Sequence, residues 1–264
     1  MQATNSVSQA REYWNYYADR WQKQANNTQN FYTKRNQWLK QLIQKNEIVP
    51  CTTLDIGCST GQLSEVLAGM GFDPYGSDVS DKLVNHAVER MSVKYSDAEK
   101  RFLVSIDGKN PFTDRMFKLA TIIGVFPYIE NQKKYIENLS GQIEAGGYII
   151  ASGANRVSIY VFLHILKHIL WFRPNRTWWE TLVNLARTGI WSGGYLDYKK
   201  AEQVHNSSKF DALFEELGYQ KVDEFDLYHI SFFDKNPLRR KGINKALARL
   251  LGWSHVGVFR KKNI

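Results

Sequence analysis

Apolar and polar positions follow two rhythms along this chain, and the change between them organises it. Through the first fifty residues the rhythm is helical. The spacing of Tyr13, Tyr16, Tyr17, Ala18 and Trp21 predicts a helix over Ser8 to Gln24, broken by Asn26-Asn27-Thr28. A second helix is predicted over Phe31 to Lys45, with Trp38, Leu39, Leu42 and Ile43 on one face. Strand-like and helix-like runs then alternate. Strands are predicted over Thr52 to Ile56, Pro74 to Asp78, Arg101 to Ile106, Phe117 to Val125 and Gly147 to Ser152. Helices fall over Leu63 to Met70, Asp81 to Met91 and Gln132 to Ile143, the second capped by Ser80 or Asp81. The fourth strand is almost wholly apolar, as a strand covered on both faces should be. Such alternation predicts βαβ units and a parallel sheet with helices on both sides.

From Asn155 to about Asn206 the rhythm stops. Helices are predicted over Ser158 to Trp171 and Thr177 to Thr188, followed by a loop at Gly189, Gly193 and Gly194. Ser207 or Ser208 then caps a helix to Leu217, with Gly218 beyond its end. A sixth strand over Val222 to Ile230, a helix over Gly242 to Leu251 and a last strand over Ser254 to Arg260 complete the pattern. The expected fold is α/β: a Rossmann-like, seven-stranded, mostly parallel sheet flanked by helices. It carries N-terminal helices (1–47) and a helical insertion (155–206) placed before the sixth strand over the mouth of the sheet.

Composition narrows the setting. A length of 264 residues suits one domain with a sizeable core. The polar start Met1-Gln-Ala-Thr-Asn5 lacks a secretory signal, and Cys51 and Cys58 need not meet, so a reduced cytoplasmic setting is expected. The longest apolar stretch, Val157 to Phe172, carries His164, Lys167 and His168 and is shorter than the ~20 apolar residues of a membrane span. The net charge of +9 gathers late, in Arg239-Arg240-Lys241 and Arg260-Lys261-Lys262. It reads as a solvated basic face, or as attraction to anionic substrates or lipid head groups. No basic run is interleaved with aromatic residues in the manner of a base-stacking platform, which argues against nucleic acid.

The chemistry concentrates at the turn after the first strand, Asp55-Ile56-Gly57-Cys58-Ser59-Thr60-Gly61. Gly57 and Gly61 allow positive φ and close approach of a ligand, and the following helix offers free N–H groups. Open parallel sheets bind ligands at this carboxyl-end crevice. A dinucleotide site asks for Gly-x-Gly-x-x-Gly, and the three positions here are Gly57, Ser59 and Gln62. Asp55 would repel a pyrophosphate but could hold a cationic amino group, directly or through water.

These residues resemble the first motif of the class I S-adenosylmethionine-dependent methyltransferases, small-molecule branch, with Ser59 standing where that motif has its middle glycine. The resemblance covers Cys51 to Ser152 and loosens from Lys209 to Lys262. It implies S-adenosylmethionine as cofactor, with contacts from Asp55, Gly57, Cys58, Ser59 and Gly61. It places Asp78 at the ribose, counts Val79 among the cofactor contacts, and sets Ile106 and Asp107 at the adenine and Gly124 beside the methyl-transfer site. Under it, residues 48–154 form the cofactor-binding half of a single domain, 155–206 a substrate lid, and 207–264 the completion of the sheet.

The acceptor is expected to be a small or lipid-linked metabolite methylated at a hydroxyl oxygen, with nitrogen and carbon as alternatives. A general base for a hydroxyl suits His205, before the helix cap at Ser207, with Tyr195 and Tyr198 as rival contacts; His229 reads as a strand residue. Tyr128, in Val125-Phe126-Pro127-Tyr128, is placed at the methyl-transfer site; this stretch lacks the Asn/Asp-Pro-Pro-Tyr signature of members that methylate nucleobase amines. Past the fourth strand only Glu130 and Asn131 follow, and His164 and His168 lack the Glu of a zinc-protease helix, so no metal is expected. Tyr160, Phe162, Trp171, Phe172, Trp178, Trp179 and Trp191, edged by Arg173, Arg176 and Arg187, would suit a ring, an isoprenoid chain or a membrane surface, or form the insertion's own core. An NAD(P)-dependent oxidoreductase and a non-catalytic binding protein are the rival classes. Oligomeric state is left open.

Overall fold

The computed structural model describes residues 3–26, 31–106, 108–129, 131–154, 207–227 and 254–263. Two helices come first, α1 (Ala3–Ala25) and α2 (Phe31–Lys45). The alternating part follows as β1 (Thr52–Ile56), α3 (Gln62–Gly69), β2 (Asp73–Asp78), α4 (Asp81–Ser92), α5 (Ala98–Arg101) and β3 (Phe102–Val104). Then come β4 (Phe117–Ile122), a 3-10 turn (Phe126–Tyr128), α6 (Gln132–Ser140) and β5 (Ile143–Ala154). The helix Ser207–Glu216, here α7, and strands β6 (Tyr219–Leu227) and β7 (Ser254–Lys261) close the sheet.

The seven strands lie in the order β3-β2-β1-β4-β5-β7-β6. The first five are mutually parallel, and β7 runs antiparallel between β5 and β6. After β1 the chain builds outward to β2 and β3, then returns to place β4 on the other side of β1. That reversal opens a crevice at the carboxyl ends of β1 and β4. Alternate strand residues fill two cores. Ile122, Ile149 and Phe259 pack with Ile136, Phe210 and Phe214 from α6 and α7. Leu119, Ile150 and Val258 pack with Leu39, Leu42, Leu63 and Leu67 from α2 and α3. Ser80 caps α4, its hydroxyl accepting from the Leu83 N–H at 3.1 Å.

Several boundaries differ from the sequence expectation, each for a local reason. The third strand is three residues long, because the short helix α5 takes its start and the chain turns away after Val104. The fourth ends at Ile122, since Gly124 adopts φ +78 and the 3-10 turn follows. The fifth strand starts before Gly147, at Ile143, and contains an irregularity. Phe117 pairs with Ile143 and Leu119 with Tyr148, and Gly146 sits at φ +66 between them. The sixth strand starts earlier, at Tyr219, which is fully buried with its hydroxyl 3.0 Å from Ser140 Oγ. Packing also selects which face of α1 turns inward. Tyr16 is 80% exposed, while Val7, Trp14, Ala18, Trp21 and Ala25 form the inward stripe. Residues 155–206, both helices expected there and the helix over 242–251 lie outside the described residues.

At the far edge, α7, β6 and β7 share a buried ionic cluster. The Lys221 ammonium donates to Asp211 Oδ2 and to Glu224 Oε2, the latter at 2.8 Å. His255 Nε2 lies 3.2 Å from Asp211 Oδ1 and 3.7 Å from Glu224 Oε2. Among the described residues Asp211, Glu224 and His255 form the single group with metal-ligand potential. Lys221 already supplies a cation to both carboxylates, which makes the cluster a brace between strand and helix.

Candidate cofactor and methyl-transfer site

A cavity of about 680 Å³ opens at the switch between β1 and β4. That lies within the roughly 300–1,000 Å³ common for small-molecule sites. Its floor is the loop after β1. Gly57 has φ +71, and a Cβ there would stand 2.0 Å from Val125 Cγ2, so both backbone and space require glycine. Gly61 has φ +76, and a Cβ there would meet Ala87 of α4 at 3.2 Å. Between them Ser59, where the family motif has glycine, takes φ +51 and remains in the left-handed region. The loop conformation is therefore kept without the middle glycine.

Two buried carboxylates hold this loop to the sheet. Asp55, 2% exposed in β1, accepts from Thr121 Oγ1 of β4 at 2.7 Å and from Ser64 Oγ of α3 at 2.8 Å. Burial pushes its carboxyl above the usual range against those hydrogen bonds and the nearby Arg35 charge. Asp78, at the end of β2, accepts the Ser59 N–H and the Ser80 N–H at 3.0 Å each. Burial raises its carboxyl to about 6, opposed by those N–H groups and helped by the Asp55 charge. The two Asp78 oxygens offer about four lone-pair sites between them, so the carboxylate keeps capacity for a further donor. Burial also keeps the Cys58 thiol protonated, by raising its pKa well above the ordinary value.

The residues expected at the cofactor divide as follows. Asp55, Gly57, Cys58, Ser59, Asp78, Val79 and Gly124 line the cavity, as does Tyr128. Gly61 shapes the loop from behind as the N-cap of α3. Ile106 is not among the lining residues and is 68% exposed, because β3 stops two residues earlier. Asp107, His205, Tyr195, Tyr198 and His229 lie outside the described residues, as does the aromatic insertion.

Other walls were missed in the sequence. On α2, Arg35 stands one turn before Leu39 and Leu42 on the core-facing stripe, which directs its guanidinium into the cavity. Its hydrogen bonds go to the Asn36 side chain, both at 3.2 Å, and it makes no ion pair with a described carboxylate. Burial lowers its pKa, opposed by Tyr32 and Asp55. A basic residue interrupting an apolar stripe was the available signal. On α1, Val7, Trp14 and Trp21 form part of the wall. The helix is fastened across the crevice by Arg11, whose Nε donates to the Val79 carbonyl at 2.9 Å and Nη2 to the Ser105 carbonyl at 3.2 Å. Asn15 adds contacts to Ser80 Oγ at 2.5 Å and Asp81 Oδ1 at 2.6 Å.

Comparison with known proteins adds family to geometry. Residues 54–151, covering the glycine loop through β5, match the family profile of the methyltransferase domain. Residues 54–151 thus carry the sequence pattern of a methyltransferase domain. Within it fall Asp55, the left-handed loop, Asp78 and Gly124. The chain is 30% identical over 115 residues to a ubiquinone biosynthesis O-methyltransferase of Paraburkholderia phymatum, covering 41% of this chain and 47% of that protein. It is 27% identical over 123 residues to the protein of the same name from Coxiella burnetii, covering 45% and 50%. The chain thus matches these relatives over about half their length. Among solved structures, the magnesium protoporphyrin IX methyltransferase of Synechocystis PCC 6803 with bound S-adenosylhomocysteine superposes with TM-score 0.60 at 17% identity, over 97% of this chain and 100% of that one. A S-adenosylmethionine-dependent methyltransferase of Clostridium acetobutylicum gives 0.54 at 13% identity, over 89% and 94%. At these identities the structures establish that the methyltransferase fold extends beyond the matched domain.

Proposed function

We propose that this chain transfers a methyl group from S-adenosylmethionine to a hydroxyl oxygen of a small metabolite. The observation that carries the reading is the pair of opposite charges in one cavity: Asp78 with lone pairs to spare, and Arg35 without a described carboxylate partner. A ligand with donor hydroxyls at one end and a carboxylate at the other satisfies both, and S-adenosylmethionine has that layout. A dinucleotide would bring its pyrophosphate toward Asp55 and Asp78, which the buried acids oppose.

Bound, the cofactor supplies an electrophilic methyl carbon on a sulfonium. The protein's residues do the rest by positioning. Asp78 orients the ribose hydroxyls while bracing the loop through Ser59. Gly57 lets the backbone approach closely, and Arg35 holds the carboxylate by charge-assisted hydrogen bonds. Tyr128 borders the methyl-transfer site, and His205 is assigned the acceptor proton from its place before α7. The oxygen acceptor is supported by the names of the relatives and by the absence of the amine-gripping signature after β4. No described helix is long and apolar enough to cross a membrane; lipid-linked acceptors and peripheral membrane contact through the insertion belong to this proposal.

Calorimetry with S-adenosylhomocysteine and 5′-methylthioadenosine tests the assignment, because the second ligand lacks the amino-acid tail. Arg35→Met is expected to weaken the first by roughly tenfold and leave the second unchanged, as loss of one charge-assisted contact implies. Absence of binding to the folded native chain would refute the reading. Isotope-labelled cofactor in cell extract then identifies the product, and His205→Ala should abolish its labelling.

A further inference from the structure

Four aromatic rings form a connected wall in the cavity. Tyr128, on the 3-10 turn after β4, meets Trp14 of α1 at 6.2 Å between ring centres and 81° between planes. Trp14 meets Trp21 at 5.8 Å, and Trp21 meets Tyr32 of α2 at 4.6 Å. The four rings thus run in one chain from the turn after β4 across α1 to α2. These rings are not core packing: Tyr128 is 41% exposed, and Trp14, Trp21 and Tyr32 are half-buried while lining the cavity. Beside them, Tyr135 of α6 also lines the cavity, and its hydroxyl has no hydrogen-bond partner among the described residues. Burial alone raises its pKa, so that hydroxyl stays protonated and can donate.

We propose that the acceptor is a planar hydroxylated arene, lying against the wall of Trp14, Trp21, Tyr32 and Tyr128 with its oxygen accepting from Tyr135. The inference rests on the methyl-transfer reading and names the substrate class of that site. Ring edges and faces reward an aromatic partner with oriented quadrupole contacts beyond the area buried. An alkyl chain buries comparable area and offers Tyr135 no acceptor. The contacting groups named come from α1, α2, α6 and the turn after β4.

The test compares ligands of matched carbon number. Catechol and 2,3-dihydroxynaphthalene are titrated against 1,2-hexanediol and 1,2-decanediol, by calorimetry and tryptophan fluorescence, on the full chain saturated with S-adenosylhomocysteine. The arenes are expected to bind at least about tenfold more tightly than the diols, the ratio that stacking of this kind supplies. Trp14→Leu and, on the more exposed turn, Tyr128→Leu should each collapse that preference, and Tyr135→Phe should weaken the arenes severalfold. Circular dichroism confirms the fold of each variant. Equal binding of arenes and diols, or an arene preference that survives both leucine variants, overturns the proposal. If S-adenosylhomocysteine itself does not bind, the methyl-transfer reading falls, and the same titrations without it judge the wall alone.

Discussion

The two ends of the cavity are built by different physics. At the β1–β2 end the backbone does the work. Gly57, Ser59 and Gly61 turn through left-handed conformations, and Asp78 fixes the turn by accepting two main-chain N–H groups. At the α1–α2 end side chains do it: Trp14, Trp21 and Tyr32 project from helices fastened over the crevice. Backbone geometry tolerates little substitution, because each change must fit one φ and one gap. A wall of side chains can be exchanged ring for ring. The first end therefore suits a constant ligand and the second a ligand that differs between enzymes of one fold.

Substitutions can break that contrast, beginning where the largest effect is expected. Gly57→Val forces a side chain into the 2.0 Å gap at Val125 from a φ of +71. Overpacking and left-handed strain together cost about 3 kcal/mol, read by urea denaturation, with no detectable binding of S-adenosylhomocysteine by calorimetry. Asp78→Ala removes the acceptor for two N–H groups and for the ribose hydroxyls. A loss of about 100-fold in affinity is expected, and unchanged affinity would refute the ribose role.

Acidity probes the same carboxylate without mutation. Its folded pKa of about 6 lies above the ordinary value, so the folded state holds the proton longer than the unfolded chain. Its contribution to stability is present at low pH and is lost as pH rises from about 4 through 6. Ligand hydroxyls donate to the ionised form, so cofactor binding has the opposite sense. Affinity for S-adenosylhomocysteine should fall below pH 6, by up to about tenfold per pH unit, and level off above 7. A flat profile between pH 5 and 8 would remove Asp78 from the ligand.

Arg11→Ala examines the other end, since it frees α1 from the Val79 and Ser105 carbonyls. About 1–2 kcal/mol of docking should be lost, seen as faster amide exchange along α1 with the sheet unaffected. The smallest effect belongs to Ser59→Gly. Relief of the left-handed φ is offset by a more flexible unfolded chain, and the melting free energy should move by less than about 1 kcal/mol with binding retained.

The contrast also explains what could be read from the chain. The loop after β1 was legible because its determinants are contiguous: an apolar strand, an acid, two glycines and a helix follow within a dozen residues. Asp78 was legible because it closes the next strand. Ile106 was misplaced because strand length depends on α5, a single turn with no periodicity of its own. The face that α1 turns inward was not legible, because five aromatic residues in nine blur a helical stripe. Only docking of Trp14 and Trp21 settles which face turns in.

Local pattern by itself determined the alternation of strand and helix, the glycine turn and the acids that follow successive strands, since each depends on neighbours a few residues away. Tertiary structure decided the rest. It joined Asp55 to Thr121 across β1 and β4, fastened α1 through Arg11 to strand ends more than sixty residues distant, and brought Arg35 and Asp78 into one cavity. Those partners are remote in sequence and meet only because β4 returns beside β1, opening one crevice over which the N-terminal helices close.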